Sequence, residues 1–251
     1  MIKFFRKIRQ KMIEESKVRK PASPAGKYLL YAIGEIVLVV IGILIALQIN
    51  TWKETQKLRS IELETLTEIQ QALIQDTIVL NANILVLKEK EQKAKALIHH
   101  IELKQPYSQD LDRLMMTVYY HRGYKTFNTA AFELLKERGF GIVKNPELRK
   151  AITNHYTTDL ADINNILNRV ESLNLLQAEN IFKNFKIYGD GKSGYIRAYD
   201  YDALLENPKI FGPFYHFELI ITTYQGNLST FKSKTEQILN AVTTELEQRK
   251  D

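Results

Sequence analysis

The sequence predicts an all-α protein in which a single N-terminal transmembrane helix continues into an extracytoplasmic antiparallel helical bundle. Three observations lead there. Residues 28–49, YLLYAIGEIVLVVIGILIALQI, are apolar apart from Glu35 and Gln48. No Gly or Pro interrupts the 63 residues from Ile43 through Gln105. Beyond the apolar run, Leu66, Leu73, Leu80, Leu87, Ala94 and Ile101 recur every seven residues, the spacing of a helix that buries one stripe.

The N-terminal tail, 1–27, carries nine Lys or Arg and two Glu, a net +7 against +6 for the whole chain, so the remaining residues stand at −1. The basicity belongs to the tail and gives no nucleic-acid signal. Met1, Phe5, Ile8 and Met12 fall at helical spacing, with Lys3, Arg6, Lys7 and Arg9 mostly on the other sides. Lys3, Phe5, Arg6, Lys7, Ile8, Arg9 and Met12 are therefore the candidate membrane-surface residues of a basic amphipathic helix, which gains from apolar insertion and from attraction to anionic lipid. A positive flank that only sets topology is the alternative. Pro21 and Pro24 end this helix.

The run 28–49 is about 33 Å long as a helix, enough to cross a bilayer. Basic residues near a span stay in the cytoplasm, and nine precede it whereas only Lys53, Lys57 and Arg59 follow within ten residues. This places the N-terminus inside and the domain 50–251 outside. The apolar core is longer than a cleavable signal's and is followed by QINTWKE, without a small-residue cleavage pattern, so an uncleaved signal anchor is expected. Tyr28, Tyr31 and Trp52 occupy interfacial positions. On a helical wheel Tyr31, Glu35, Gly42 and Ala46 fall within about 40° of one line. Gly42-x-x-x-Ala46 is a small-xxx-small spacing that permits close helix approach, and a carboxylate inside hydrocarbon needs a partner or a proton. These four residues are the candidate packing face toward a second copy or another membrane subunit. A proton or ion path through Glu35 is the competing reading.

The run KYLLYAIGEIVLVVIGILIALQINTW, with the preceding MIKFFRKIRQ, resembles the N-terminal signature of a large uncharacterised family of single-pass inner-membrane proteins of Gram-negative bacteria. FELLKERGFGIVKNPELRKAITNHY, 132–156, resembles a recurring helix-turn-helix segment of the same family. The resemblance implies an inner-membrane protein whose C-terminal domain is periplasmic. It implies no activity, cofactor or catalytic residue.

Within the domain, one helix is expected to run from about Lys27 to Lys104. Asp76, Asn83 and Lys90 break the apolar character of its second heptad position, which favours bundle packing over a long parallel coiled coil. Residues 109–121 and 128–138 read as helices, the second stopped by Gly139 and Gly141. Asn145-Pro146 starts another, with Leu148, Ile152, Tyr156, Ile163, Leu167, Val170, Leu173 and Ile181 on one side. GDGKSG, 189–194, breaks it, and Asp202–Glu206 forms a turn of helix. After Gly212-Pro213 a last long helix aligns Tyr224, Leu228, Phe231, Ile238, Val242 and Leu246. The strand pattern KSGYIRAYDY is brief. Three long helices and a shorter broken pair are expected to share one core.

Candidate chemistry is sparse. GDGKSG lacks the Gly, at Lys186, that a P-loop requires, and Lys192, Gly194 and Tyr195 occupy positions where a calcium loop needs ligands or Gly. His99, His100, His121, His155 and His216 show no metal-ligand spacing and read as surface or capping residues. No nucleophile elbow occurs, and without cysteine there is no thiolate or disulfide chemistry. The aromatic sets Tyr119, Tyr120, Tyr124, Phe127 and Phe211, Phe214, Tyr215, Phe217 read as closures of the core, an apolar pocket being the alternative. The sequence thus leads to a non-enzymatic structural or interaction subunit of an envelope assembly, with lipid and membrane-protein partners or self-association, no nucleic acid and no cofactor. The alternative is a sensor-like module that signals through a separate partner, since 27 residues inside cannot hold an output domain.

Overall fold

A computed structural model describes residues 24–119, 127–189 and 194–249. The chain divides into two compact units, 1–59 and 60–251. The described part of the first unit is helix, and it belongs to α1, Pro24–Glu102, within which the division falls. From Ala32 onward this helix contains a stretch long and apolar enough to cross a membrane, and none of that stretch is buried by the chain. The continuous helix expected from the missing Gly and Pro is thus observed, within a few residues at each end.

The second unit is mostly helical. Its elements after α1 are α2 (Gln109–Tyr119), α3 (Ala130–Arg138), α4 (Pro146–Asn154), α5 (Leu160–Asn184), β1 (Phe185–Gly189), β2 (Gly194–Ala198), α6 (Tyr201–Glu206) and α7 (Gly212–Gln248). Local chemistry sets the boundaries. Asn145 Oδ1 accepts from the backbone N–H of Glu147 and Leu148, with Pro146 at the first helical position of α4. Gly139 ends α3 at φ +88°, a conformation that side chains rarely adopt. Asp200 Oδ1 accepts from Ala203 N–H and caps α6.

The core joins α1, α4, α5 and α7. Leu66, Leu73, Leu80, Leu87, Ala94 and Ile101 are all buried, as are Leu148, Ile152, Tyr156, Ile163, Val170 and Ile181 of the second stripe and Tyr224, Leu228, Phe231, Ile238, Val242 and Leu246 of the last. Leu167 and Leu173 are half-buried. Cross-links fix the register. Glu62 meets Arg249 and Gln70 meets Thr243, while Asn145 meets Glu245 and Asp159 meets Lys234. Helix α7 therefore runs antiparallel to both α1 and the α4–α5 run, and the short α2 and α3 complete the packing.

Two features depart from the expected all-helical plan. A π turn, His155–Asp159, separates α4 from α5 in what otherwise reads as one helix. The break at GDGKSG is the connection of an antiparallel hairpin, Phe185 pairing with Ala198 and Gly189 with Gly194. The hairpin forms because Phe185, Ile187 and Ile196 alternate with Lys186, Tyr188, Tyr195 and Arg197, a period of two that buries one face. Phe185 and Ile196 enter the core, and Gly194 lets the strand approach α2, where an added Cβ would stand 2.8 Å from Met116 Cε.

Candidate functional site

The membrane-face residues sit on the first unit's helix. Glu35 and Ala46 are exposed, and nothing lies within 4 Å of a Cβ built on Gly42. Tyr31 stands one turn before Glu35 on the same helix, its side chain outside the described set. Among the described residues no side chain of the chain covers this face. The tail residues Lys3, Phe5, Arg6, Lys7, Ile8, Arg9 and Met12 lie outside the described residues, as do Tyr120, His121, Tyr124 and 190–193 of the GDGKSG loop.

In the second unit the second heptad position of α1 is buried along its whole length: Glu62, Ile69, Asp76, Asn83, Lys90 and Leu97. Four of the six are polar, so each imposes a specific demand on its surroundings. Glu62 accepts the Lys144 N–H at 2.6 Å and an Arg249 Nη1 donor at 2.5 Å. Asp76 accepts the Asn128 N–H at 3.1 Å, and burial raises its carboxyl to about 6 despite that bond. Burial, helped by Lys93, lowers Lys90 to about 8. Asn83 Nδ2 finds no acceptor among the described residues.

Opposite this seam, His155 is buried in the π turn, its ring stacked on Phe231 at 4.8 Å and 5° and edge-on to Tyr156. Burial lowers its imidazole to about 4. The expectation of surface or capping histidines therefore fails for His155, which stands seven residues after Leu148 and three after Ile152, on the buried line of α4. His99 is exposed, and His100 and His216 are half-buried. Desolvation also raises the Tyr156 phenol, with the nearby Asp76 charge adding to it. The described members of the aromatic sets pack in or against the core. Tyr119 meets Phe217 edge-on and Phe127 meets Phe231, while Phe211, Phe214 and Phe217 form a chain that Phe185 of β1 joins. Among the described residues no group of three His, Asp or Glu is placed to hold a metal ion.

A cleft of about 400 Å³ opens where α2 meets the hairpin, lined by Tyr107, Gln109, Arg197, Ala198 and Tyr201. Asp112, 1% exposed, lies beneath it. Its Oδ2 accepts from Arg197 Nε and Nη2, both at 2.8 Å, and from the Tyr107 hydroxyl at 3.0 Å. The bond to Asp112 raises the Arg197 guanidinium further. On the outer face of the hairpin Tyr188 and Tyr195 stack at 4.8 Å, with Lys186 over the first ring and Arg197 near both. Sequence reasoning missed this site, since 85 residues separate Asp112 from Arg197. The alternation in FKIYG and GYIRA was the available signal.

No curated protein and no solved structure matches the chain. Residues 35–181, more than half of its length, match a family of unknown function, DUF6090, and the chain belongs to that family.

Proposed function

We propose that the protein is a single-pass inner-membrane protein of a Gram-negative cell, with its N-terminus cytoplasmic and its helical unit periplasmic, acting as a non-enzymatic structural or interaction subunit of an envelope assembly. The observation that carries this reading is the contrast between the two units. The second buries its stripes in a core of its own, whereas the apolar residues of the span are exposed on every side. Exposed apolar surface of that extent needs lipid or protein cover. In lipid, the line of Glu35, Gly42 and Ala46 is where a second helix gains most, since small residues permit close approach and a carboxylate seeks a hydrogen-bond partner. The sensor-like alternative is favoured by one observation, the open cleft at Arg197.

The chain has no cysteine, so single cysteines report cleanly. With copper phenanthroline as oxidant in native membranes, Gly42→Cys and Ala46→Cys should form disulfide-linked dimers or, carrying a thiol-reactive photo-crosslinker, adducts with another envelope protein, and Leu44→Cys, about 180° away, should not. Equal adduct formation at all three positions, or none at any, contradicts the packing face.

A further inference from the structure

We infer that the Arg197 cleft is a carboxylate-binding site. The assignment is independent of the membrane reading and rests on four features of the second unit. First, Asp112 is nearly fully buried and spends one oxygen on Nε and Nη2 of Arg197 and on the Tyr107 hydroxyl. This fixes the guanidinium plane while leaving the side chain 42% exposed. A guanidinium has five donors in a rigid fork, and those not turned to Asp112 and Tyr107 face no other protein acceptor among the described residues. The orientation of the fork is thus set before any ligand arrives, which lowers the cost of binding.

Second, Lys186 is the direct cross-strand partner of Arg197. Like charges placed opposite each other weaken a hairpin, and Lys186 makes no ion pair among the described residues, resting only over the Tyr188 ring at 4.8 Å. Asp112 offsets the charge of Arg197, and an anion beside the pair would offset that of Lys186. Third, Gln109, the first residue of the eleven-residue α2, lines the cleft, so the positive end of the helix dipole adds to the same field. Fourth, the cleft is large enough for a small organic acid or an acidic side chain with its neighbouring backbone.

Acidic residues that adjoin the lining residues Gln109 and Tyr201 in the chain narrow the anion class. Asp110 stands in the first turn of α2, Asp202 acts on the Tyr201 phenol, and Asp200 caps α6. Together with Asp112 they oppose a dianion more than a monoanion, which selects a carboxylate over a phosphate.

The test is calorimetric titration of the full chain in detergent micelles, with N-acetylglycine as a free small carboxylate and N-acetyl-Gly-Glu-Gly-amide, which carries one carboxylate, as an acidic peptide segment. Sodium chloride at matched ionic strength and inorganic phosphate are the comparators. Saturable binding of N-acetylglycine identifies a free small acid as the source, and binding of the single-glutamate peptide alone identifies a protein side chain. Either supports the site if Arg197→Gln weakens it at least about tenfold and Arg197→Lys, which keeps the charge but loses the fork, recovers little. Lys186→Gln should weaken it about threefold without lowering the melting temperature, since that side chain is exposed and its removal takes away a like charge opposite Arg197. Binding of neither ligand, binding insensitive to both substitutions, or preferential binding of phosphate overturns the assignment.

Discussion

Asp76 on α1 accepts a hydrogen bond at 3.1 Å from the backbone N–H of Asn128, whose own Oδ1 accepts from the N–H of Ala130 at the start of α3. One buried carboxylate thus holds the entry to a helix 52 residues away. Its burial raises the folded carboxyl to about 6 from 3.8. A folded state that holds a proton more tightly than the unfolded one is most stable below about pH 4 and loses stability as pH rises to about 6. The loss is on the order of 2–3 kcal/mol. Asp76→Asn keeps an acceptor and removes the charge. Denaturant unfolding should show it more stable than the parent at pH 7.5 and equal to it at pH 4.

His155 has the opposite sign. Its imidazole is lowered to about 4, so the folded state resists protonation, and stability falls as pH drops from about 6.5 to about 4. His155→Phe retains an aromatic ring against Phe231 and removes the proton. It should exceed the parent in stability at pH 4.5 and match it within about 1 kcal/mol at pH 7.5. The parent carries both slopes, so its pH profile between 4 and 6 should be flatter than that of either variant.

The ion pairs divide by burial. Glu62 is buried and holds both the Lys144 N–H and Arg249. Glu62→Ala leaves a buried N–H without its acceptor and removes one anchor of Arg249, and should cost about 3 kcal/mol in unfolding free energy. Lys93→Ala breaks only the exposed pair with Glu89 and should leave the unfolding midpoint where it is.

The two sides of α1 should respond differently to truncation. Leu80 is fully buried and Leu85 is exposed. Leu80→Ala should cost about 2–5 kcal/mol and Leu85→Ala under about 0.5 kcal/mol by the same measurement.

Much of the fold was legible because helical burial repeats in the sequence. The Leu66 to Ile101 stripe, the Asn145-Pro146 start and the α7 stripe each carry a local signal that the tertiary structure then uses. The polar residues of the second heptad position were legible as exceptions, but their burial was not, since it depends on partners such as Asn128, Lys144 and Arg249 that lie far along the chain. The π turn leaves no composition signal, but it begins at His155, whose burial follows from its place seven residues after Leu148 and three after Ile152 and was passed over because a titratable ring is costly to bury. The hairpin was missed because five-residue strands present too few alternations to compete with the surrounding helical pattern. The Arg197 cleft depends on a long-range ion pair that no spacing announces, whereas the alignment of Glu35, Gly42 and Ala46 follows from spacing within one helix.

The most direct measurement is the accessibility of a single cysteine placed at Ser229, an exposed position on α7. In intact spheroplasts, Ser229→Cys should react with a membrane-impermeant maleimide at the rate seen after lysis, with the protein remaining in the membrane pellet after carbonate washing. Labelling only after lysis, or release of the intact chain by carbonate, would contradict a helical unit held outside the cytoplasm by the 28–49 helix.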